Sequence, residues 1–317
     1  MVNFNDVVNA RDRIQKYISL TPLDFSMGLS DEKTKVYLKL ECQQKQKAFK
    51  VRGALSKISS LTDEEKERGV IAVSSGNHGA GVSFASHLLG IKNAKVFVPE
   101  TAPKAKVDKI KYYGAEIVQV GKNYDESHKT ALEEMKKKNM TYIDSCSDVQ
   151  LIGGQGTVGL EIMEQNPDID TIIVPIGGGG LITGISVAAK HMNPNVKIIG
   201  VQTAACPAMV KSLEDDLLYE EFPSEKSICD ALIGGVTEIP FKMAKKCIDH
   251  IFVVSEESIR KATKLLLTEE KVVSEPSGAV GVAALLDNPQ YFAGKNVAIV
   301  ISGGNLDKEL MEKIILN

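Results

Sequence analysis

The sequence predicts an α/β protein built on a mostly parallel, doubly wound sheet. Three observations lead there. Short apolar, β-branched runs alternate with helical patterns along most of the chain. Some of these runs are apolar at every position, as from Val297 to Ile301, which suits burial on both faces of a sheet. Three of them end in small polar or glycine-rich turns: Ser74 to Asn77, Gly177 to Gly180 and Ser302 to Asn305. Ligands in such sheets sit beyond the carboxyl ends of the strands, so the three turns are expected to face one cleft.

Taken in order, Val7 to Ile18 has apolar residues at Val7, Val8, Ile14 and Ile18 with arginines between, the pattern of a surface helix. Thr21-Pro22-Leu23 stops it, because proline disfavours helix at the preceding residue. Val36 to Leu40 alternates like a strand, and Ala48 to Ile58 reads as helix. Asp63 to Lys66 belongs to a surface helix with Thr62 as cap and Glu65 three residues later. Val70 to Val73 is a strand entering Ser74-Ser75-Gly76-Asn77-His78, with a helix from Gly79 to Leu89 behind it. Strands follow at Lys95 to Pro99, Glu116 to Val120 and Thr141 to Asp144, separated by helices at Pro103 to Tyr113 and Tyr124 to Lys138. A helix from Gly156 to Gln165 leads into the strand that begins at Thr171. Lys197 to Val201, Ile251 to Val254 and Val297 to Ile301 are the later strands, and a short helix covers Leu306 to Ile315.

The 317 residues suffice for two lobes of ordinary size. A formal charge of −3 and a pI near 6.0, with no basic arm or acidic tail, make nucleic acid and anionic membrane poor partners. No apolar run is long enough to span a bilayer, and the polar start from Met1 to Arg13 lacks a signal-peptide core. Cys42, Cys146, Cys206, Cys229 and Cys247 are scattered and never form CxxC, so free thiols in a reducing cytoplasm are expected.

The chemistry starts at Thr171-Ile172-Ile173-Val174-Pro175-Ile176-Gly177-Gly178-Gly179-Gly180. Four glycines between a strand and a helix let backbone N–H groups close around a small anion, and the helix adds its own free N–H groups. A plain flexible turn is the alternative. The spacing does not fit GxGxxG, since its last glycine would fall on Ile182 or Thr183, and GxxxxGK[ST] is absent. In Ala48-Phe49-Lys50-Val51-Arg52-Gly53-Ala54 a lysine opens a helix. An amine held there or near another cation gives up its proton more readily, and a neutral amine forms an imine with an aldehyde. Taken alone, Lys50 reads rather as a surface lysine, Asn77 and His78 as helix-capping residues, Ser302 as a turn residue, Phe49 as a core aromatic and Glu275 as a solvated charge.

Together the motifs resemble a family. Lys50 in its Ala-Phe-Lys context, Ser74 to His78, Gly177 to Gly180, Glu275-Pro276-Ser277-Gly278-Ala279 and Ser302-Gly303-Gly304-Asn305 occur in that order. Ala10 to Ile14, Thr21 to Leu23 and Gly154-Gln155-Gly156-Thr157 match further stretches. This set resembles the serine/threonine dehydratase and serine racemase family of pyridoxal-phosphate enzymes, over nearly the whole chain. The resemblance implies the two-lobed tryptophan synthase β-like fold (fold type II), with parallel sheets flanked by helices. It divides the chain into a large cofactor-binding domain, 1–61 plus 145–317, and a small inserted α/β domain, 62–144. No C-terminal regulatory domain is expected.

The resemblance also implies roles. Lys50 holds pyridoxal 5'-phosphate as an imine and Gly177, Gly178, Gly179 and Gly180 cradle its phosphate. Phe49 packs on the ring, Asn77 bonds the ring hydroxyl, Glu275 belongs to the cofactor site and Ser302 faces the pyridine nitrogen. Ser74, Ser75, Asn77 and His78 bind the substrate carboxylate. The expected reaction is a β-elimination. Lys50 removes the α-proton, the β-hydroxyl leaves, and an enamine hydrolyses to a 2-oxo acid and ammonia. L-Threonine or L-serine is the expected substrate. Ser75 matches the serine that reprotonates the opposite face in the family's racemases, which keeps serine racemase as an alternative, with threo-3-hydroxyaspartate dehydratase as another. A cytoplasmic homodimer or homotetramer is implied.

Two departures stand out. Where the family has Thr-Gly-Ser or a close variant before Phe-Lys, this chain has Gln46-Lys47-Ala48. Lys47 is then either a surface charge or, turned inward, a partner for a second substrate carboxylate that would favour 3-hydroxyaspartate. The family's divalent-metal site uses a Glu and an Asp flanking a backbone carbonyl; Gln202, Cys206 and Ala208 stand there instead, so no metal is expected.

Overall fold

A computed structural model describes residues 1–316, with Ala105 described by its backbone alone. In chain order the elements are α1 (Phe4–Ile14), β1 (Leu23–Phe25), β2 (Lys35–Lys39), α2 (Lys50–Ser59), α3 (Asp63–Arg68), β3 (Val70–Val73) and α4 (Asn77–Leu88). Then come β4 (Ala94–Val98), α5 (Lys104–Lys111), β5 (Glu116–Gln119), α6 (Tyr124–Lys138), β6 (Thr141–Tyr142), α7 (Val149–Gln165), β7 (Thr171–Pro175) and α8 (Gly180–Met192). The chain closes with β8 (Lys197–Thr203), α9 (Ala208–Glu214), α10 (Glu238–Cys247), β9 (His250–Val254), α11 (Glu256–Thr268), α12 (Pro276–Asp287), α13 (Pro289–Phe292), β10 (Asn296–Val300) and α14 (Lys308–Leu316).

The strands form two sheets. The first has the order β1-β2-β10-β7-β8-β9 and the second β5-β4-β3-β6. Only β1 runs antiparallel to its neighbour; every other pairing is parallel. All strands of the second sheet fall between Val70 and Tyr142, between two sets of strands belonging to the first. Successive side chains point to opposite faces, and both faces are apolar. Ile172 and Val174 of β7 pack toward α7 and α8 with Val158, Ile182 and Ile185. Ile173 points the other way, to Ile259, Leu266 and Val280 of α11 and α12. In the second sheet Val70, Ala72 and Val96 join Val51, Leu55 and Val82 of α2 and α4. Ile71, Val73 and Phe97 join Ala131 of α6. Helix α2 packs on α4 and α7, and the residue before its first, Phe49, bonds Ser302 O after the last strand of the first sheet.

Several elements start elsewhere than the pattern suggested. Helix α1 begins at Phe4 because Asn3 and Asp6 close a capping box. The box expected at Thr62 and Glu65 is formed. Helix α7 begins at Val149, not Gly156, capped by Asp148. Its glycines lower helix propensity, yet they are what packing needs. A Cβ on Gly156 would stand 2.8 Å from Gly184 O, and one on Gly184 would stand 2.5 Å from Ile152 O. Close approach of α7 and α8 overrides local preference here. Strand β6 stops at Tyr142 because Asp144 Oδ1 accepts from the N–H groups of Cys146 (2.7 Å) and Ser147 (2.6 Å), bending the chain.

A buried cluster of charges joining β2, α2 and α7 was not foreseen. The Arg52 guanidinium, two residues after Lys50, is fully buried. Its Nε and Nη2 donate to the two Glu41 oxygens at 2.8 and 2.7 Å. Its Nη1 and Nη2 donate to the Glu161 oxygens at 2.6 and 2.9 Å, and Nη1 also to Thr157 Oγ1 at 3.0 Å. Lys39 Nζ donates to Glu161 Oε2 at 2.6 Å, Thr21 O at 2.8 Å and Gln165 Oε1 at 2.8 Å. Two cations meet two carboxylates, so the cluster is neutral, and each member is held from several directions. Removing one partner would leave uncompensated buried charge, which costs about 3–5 kcal/mol. Arg52→Met is expected to lower unfolding free energy by about that amount, measured by urea denaturation.

Candidate active site

The glycine turn has the geometry an anion site needs. Gly179 has φ of +94°, which glycine adopts without strain, and it caps α8 with no side chain bonded to the helix end. The first N–H groups of α8 are thus open and carry the positive end of the helix dipole. A Cβ on Gly178 would stand 2.9 Å from Cys146 Sγ, and one on Gly180 would stand 2.9 Å from Cys146 O. Only backbone fits between the turn and Cys146.

Lys50 reaches the same place. Its Nζ donates to Ser145 O at 2.9 Å and lies 3.6 Å from Cys146 Sγ. It also lies 5.3 Å from the centroid of the Phe49 ring. Ser145 and Cys146 follow β6, so this is a fourth polar turn at the carboxyl end of a strand. That was the available signal for Cys146, which sequence reasoning did not single out. Cys146 is the one half-buried thiol; Cys42, Cys206, Cys229 and Cys247 are buried, and all five are free.

The turn after β10 closes the site from another side. Phe49 N donates to Ser302 O at 3.1 Å, Gly304 N to Lys47 O at 2.8 Å, and Ala48 bridges Gly303. Ser302 is buried. Asn305 Nδ2 donates to Asn77 Oδ1 at 2.6 Å, so the turns after β3 and β10 meet directly. Asn77 Nδ2 donates to Glu275 Oε1 at 2.8 Å, and Asn305 N to Glu275 Oε2 at 3.2 Å. Glu275 precedes α12 and is buried. Burial first, then the nearby Asp230 charge, pushes its carboxyl up to about 7, against the two hydrogen bonds.

Asn77 opens α4, with Gly76 rather than Asn77 as cap. Ser74 Oγ accepts from Gly76 N at 3.1 Å, and Ser75 is half-buried in the same turn. His78 is buried, with Nε2 2.9 Å from Ile143 O. A carbonyl only accepts, so Nε2 carries the proton and Nδ1, which has no partner, does not. Burial, then the Lys50 charge, pushes His78 down to about 4, so the ring is neutral near pH 7. The imidazole is thus committed to Ile143, leaving the backbone N–H of His78 for the turn. Lys47 is exposed. Gln46 and Lys47 adopt φ of 63° and 59°, a left-handed backbone that favours glycine.

At the positions matched to the family's metal site, Gln202 Nε2 lies 3.4 Å from Cys206 O and Gln202 Oε1 accepts from Met209 N and Val210 N, both at 3.0 Å. An amide N–H faces the carbonyl that a cation would otherwise approach. No group of three or more His, Cys, Asp or Glu side chains able to hold a metal occurs among the described residues.

An amine beside a backbone anion cradle, an aromatic face, an amide and a buried hydroxyl, all at the ends of parallel strands, together define an enzyme working through an aldehyde-bearing phosphorylated cofactor. The donor set fits pyridoxal phosphate. Residues 14–303 match the family described as pyridoxal-phosphate dependent enzyme, and the chain belongs to that family. It is 42% identical over 317 residues to an L-threonine ammonia-lyase of Thermotoga maritima, covering 99% of this chain and 78% of the relative. Among solved structures, the processed form of threonine deaminase isoform 2 from Solanum lycopersicum superposes with a TM-score of 0.93 at 33% identity, covering 98% of this chain and 92% of the other. Maize serine racemase gives a TM-score of 0.91 at 33% identity, with 99% and 97% covered. The fold is the fold type II architecture of these enzymes, and the cofactor is pyridoxal phosphate.

The raised Glu275 carboxyl has a pH signature. Below the ordinary carboxylate range it is neutral folded or unfolded; as pH rises through about 7 the folded protein must ionise a buried group that the unfolded chain ionises more easily. Its contribution to stability is therefore lost across that window. The Tm of wild type minus that of Glu275→Gln is expected to fall between roughly pH 5 and 8, measured by calorimetry on both proteins without cofactor.

Proposed function

We propose that the protein is an ammonia-lyase that converts L-threonine, L-serine or both to a 2-oxo acid and ammonia. The single observation that carries this reading is the approach of the Lys50 amine to the turn formed by Cys146 and the uncapped glycine cradle. When bound, pyridoxal phosphate supplies an aldehyde that condenses with amines and a ring that draws electrons from the substrate's α-carbon.

The chain's own residues do the rest. Gly177 to Gly180 and the start of α8 bind the phosphate. Phe49 packs on the ring and Asn77 donates to its hydroxyl. Ser302 would hold the ring nitrogen, and its neutral hydroxyl could not keep that nitrogen protonated as a carboxylate would. Ser74, Ser75 and the backbone N–H groups of Asn77 and His78, at the start of α4, bind the substrate carboxylate. Lys50 Nζ takes the α-proton. Departure of the β-hydroxyl as water and hydrolysis of the resulting enamine give the 2-oxo acid and ammonia. Residues 62–144 act as a small lobe inserted into a larger one, with the site between them, in a homodimer or homotetramer in the cytoplasm. Racemisation of serine is a second reading, favoured by the Ser75 hydroxyl in the turn that holds the substrate.

With pyridoxal phosphate the protein is expected to absorb in the visible. Borohydride should bleach the band and leave the label on Lys50 in peptide mass spectrometry; a label on another lysine, or no band, would overturn the assignment. Chiral and 2-oxo-acid readouts on L-threonine, L-serine and threo-3-hydroxyaspartate then rank the activities.

The Gln202 amide also supports catalysis without a divalent ion at the matched site. Activity is expected to survive EDTA unchanged, and loss of activity that Mg²⁺ restores would contradict this.

A further inference from the structure

The two sheets are joined across the cleft by a contact outside the roles given above. Helix α5, packed on the second sheet, carries Lys109. Its Nζ donates to Gln46 O at 3.2 Å and closely to Asn305 Oδ1. Asn305 Nδ2 donates to the same Gln46 O at 2.9 Å and to Asn77 Oδ1 at 2.6 Å. Lys106, one turn earlier on α5, pairs with Asp230 Oδ2 at 2.6 Å, a second tie from α5 to residues outside the second sheet. The left-handed backbone at Gln46 and Lys47 lies where both donors meet the Gln46 carbonyl.

The direction of these bonds matters. An ammonium has three donors and no acceptor, so it forces Asn305 to present its amide oxygen. The Asn305 NH₂ is then turned to Gln46 O and Asn77 Oδ1, and both of its hydrogens are used. Asn77, offering its oxygen to Asn305, must turn its NH₂ toward Glu275 and keeps one N–H unused.

We propose that Lys109 is a positioning residue for the cofactor: by fixing the amide of Asn305 it fixes the amide of Asn77, so that the unused Asn77 N–H points to the ring hydroxyl only when α5 is docked across the cleft. This rests on the reading of Asn77 and Lys50 given under the proposed function. The inserted sheet then reports its docking to the ring through one side chain, and a cofactor-loaded site is one in which α5 is held down.

The test uses the full chain freed of cofactor and titrated with pyridoxal phosphate by absorbance, in wild type, Lys109→Met and Lys109→Arg. The methionine variant is expected to bind the cofactor roughly ten-fold more weakly, the scale of one mis-set hydrogen bond near a charged group. Its visible band should shift, and arginine, which keeps the donors, should recover most of both. A merely structural role would change the unfolding temperature and leave the band of the folded, loaded protein where it is. Wild-type affinity and an unshifted band in Lys109→Met would overturn the proposal. Should that variant not fold, Asn305→Ala removes the receiving amide, with the same shift expected and the same null result decisive. A wild type with no visible band, or one trapped at a lysine other than Lys50, would instead sink the functional reading itself.

Discussion

The site depends on the buried meeting of Arg52 with Glu41 and Glu161. Lys50 stays at the end of the first sheet only if the first turn of α2 is fixed there while the body of α2 packs on α4 and α7. Arg52 does this from two residues away. Its planar fork donates to both oxygens of Glu41 and to both oxygens of Glu161, so the helix cannot slide or rotate without breaking several bonds at once. Glu41 precedes the departing Gln46-Lys47-Ala48 stretch, and Glu161 lies on α7. One guanidinium therefore ties α2, the Glu41 turn and α7 together two residues from Lys50. Lys39 balances the charge, which keeps the cluster tolerable in an apolar interior.

The second organising constraint is the parallel sheet. Strands ending on one side deliver the tetraglycine turn, the Ser302 to Asn305 turn and, from the other sheet, the turns after β3 and β6. Parallel pairing exposes helix N-termini at that same side, so backbone donors at α4 and α8 gather without any side chain being spent on them. The glycines of α7 and α8 let those helices approach closely enough to support β7 from behind. Packing and chemistry make the same demand at this point.

Burial also sorts the polar groups. Ile143 fixes the proton on His78 Nε2 and the low-dielectric surroundings keep the ring neutral, whereas the same burial pushes the Glu275 carboxyl up to about 7. Glu275 accepts from Asn77 in the network that runs from α5 to α12, while the ring of His78, the next residue, bonds Ile143 outside it.

The sequence by itself determined the alternation of strands and helices, the apolar character of both sheet faces, the thiols left free, and the ordered motifs that name the family. These are local properties: hydrophobic period, glycine at a strand end, a lysine opening a helix. The Thr62–Glu65 box was legible for the same reason, since a cap is a contact within four residues. Tertiary structure alone decided that Val149 to Gly154 is helical, because the close approach of α1 to Gly153 and of α2 to Gly154 leaves no room for a Cβ there. It alone placed Cys146 beside Lys50, 96 residues apart in sequence, and brought Arg52 to Glu161. Such contacts leave no periodic trace, since their energy comes from burial and from charges that meet only when distant segments pack.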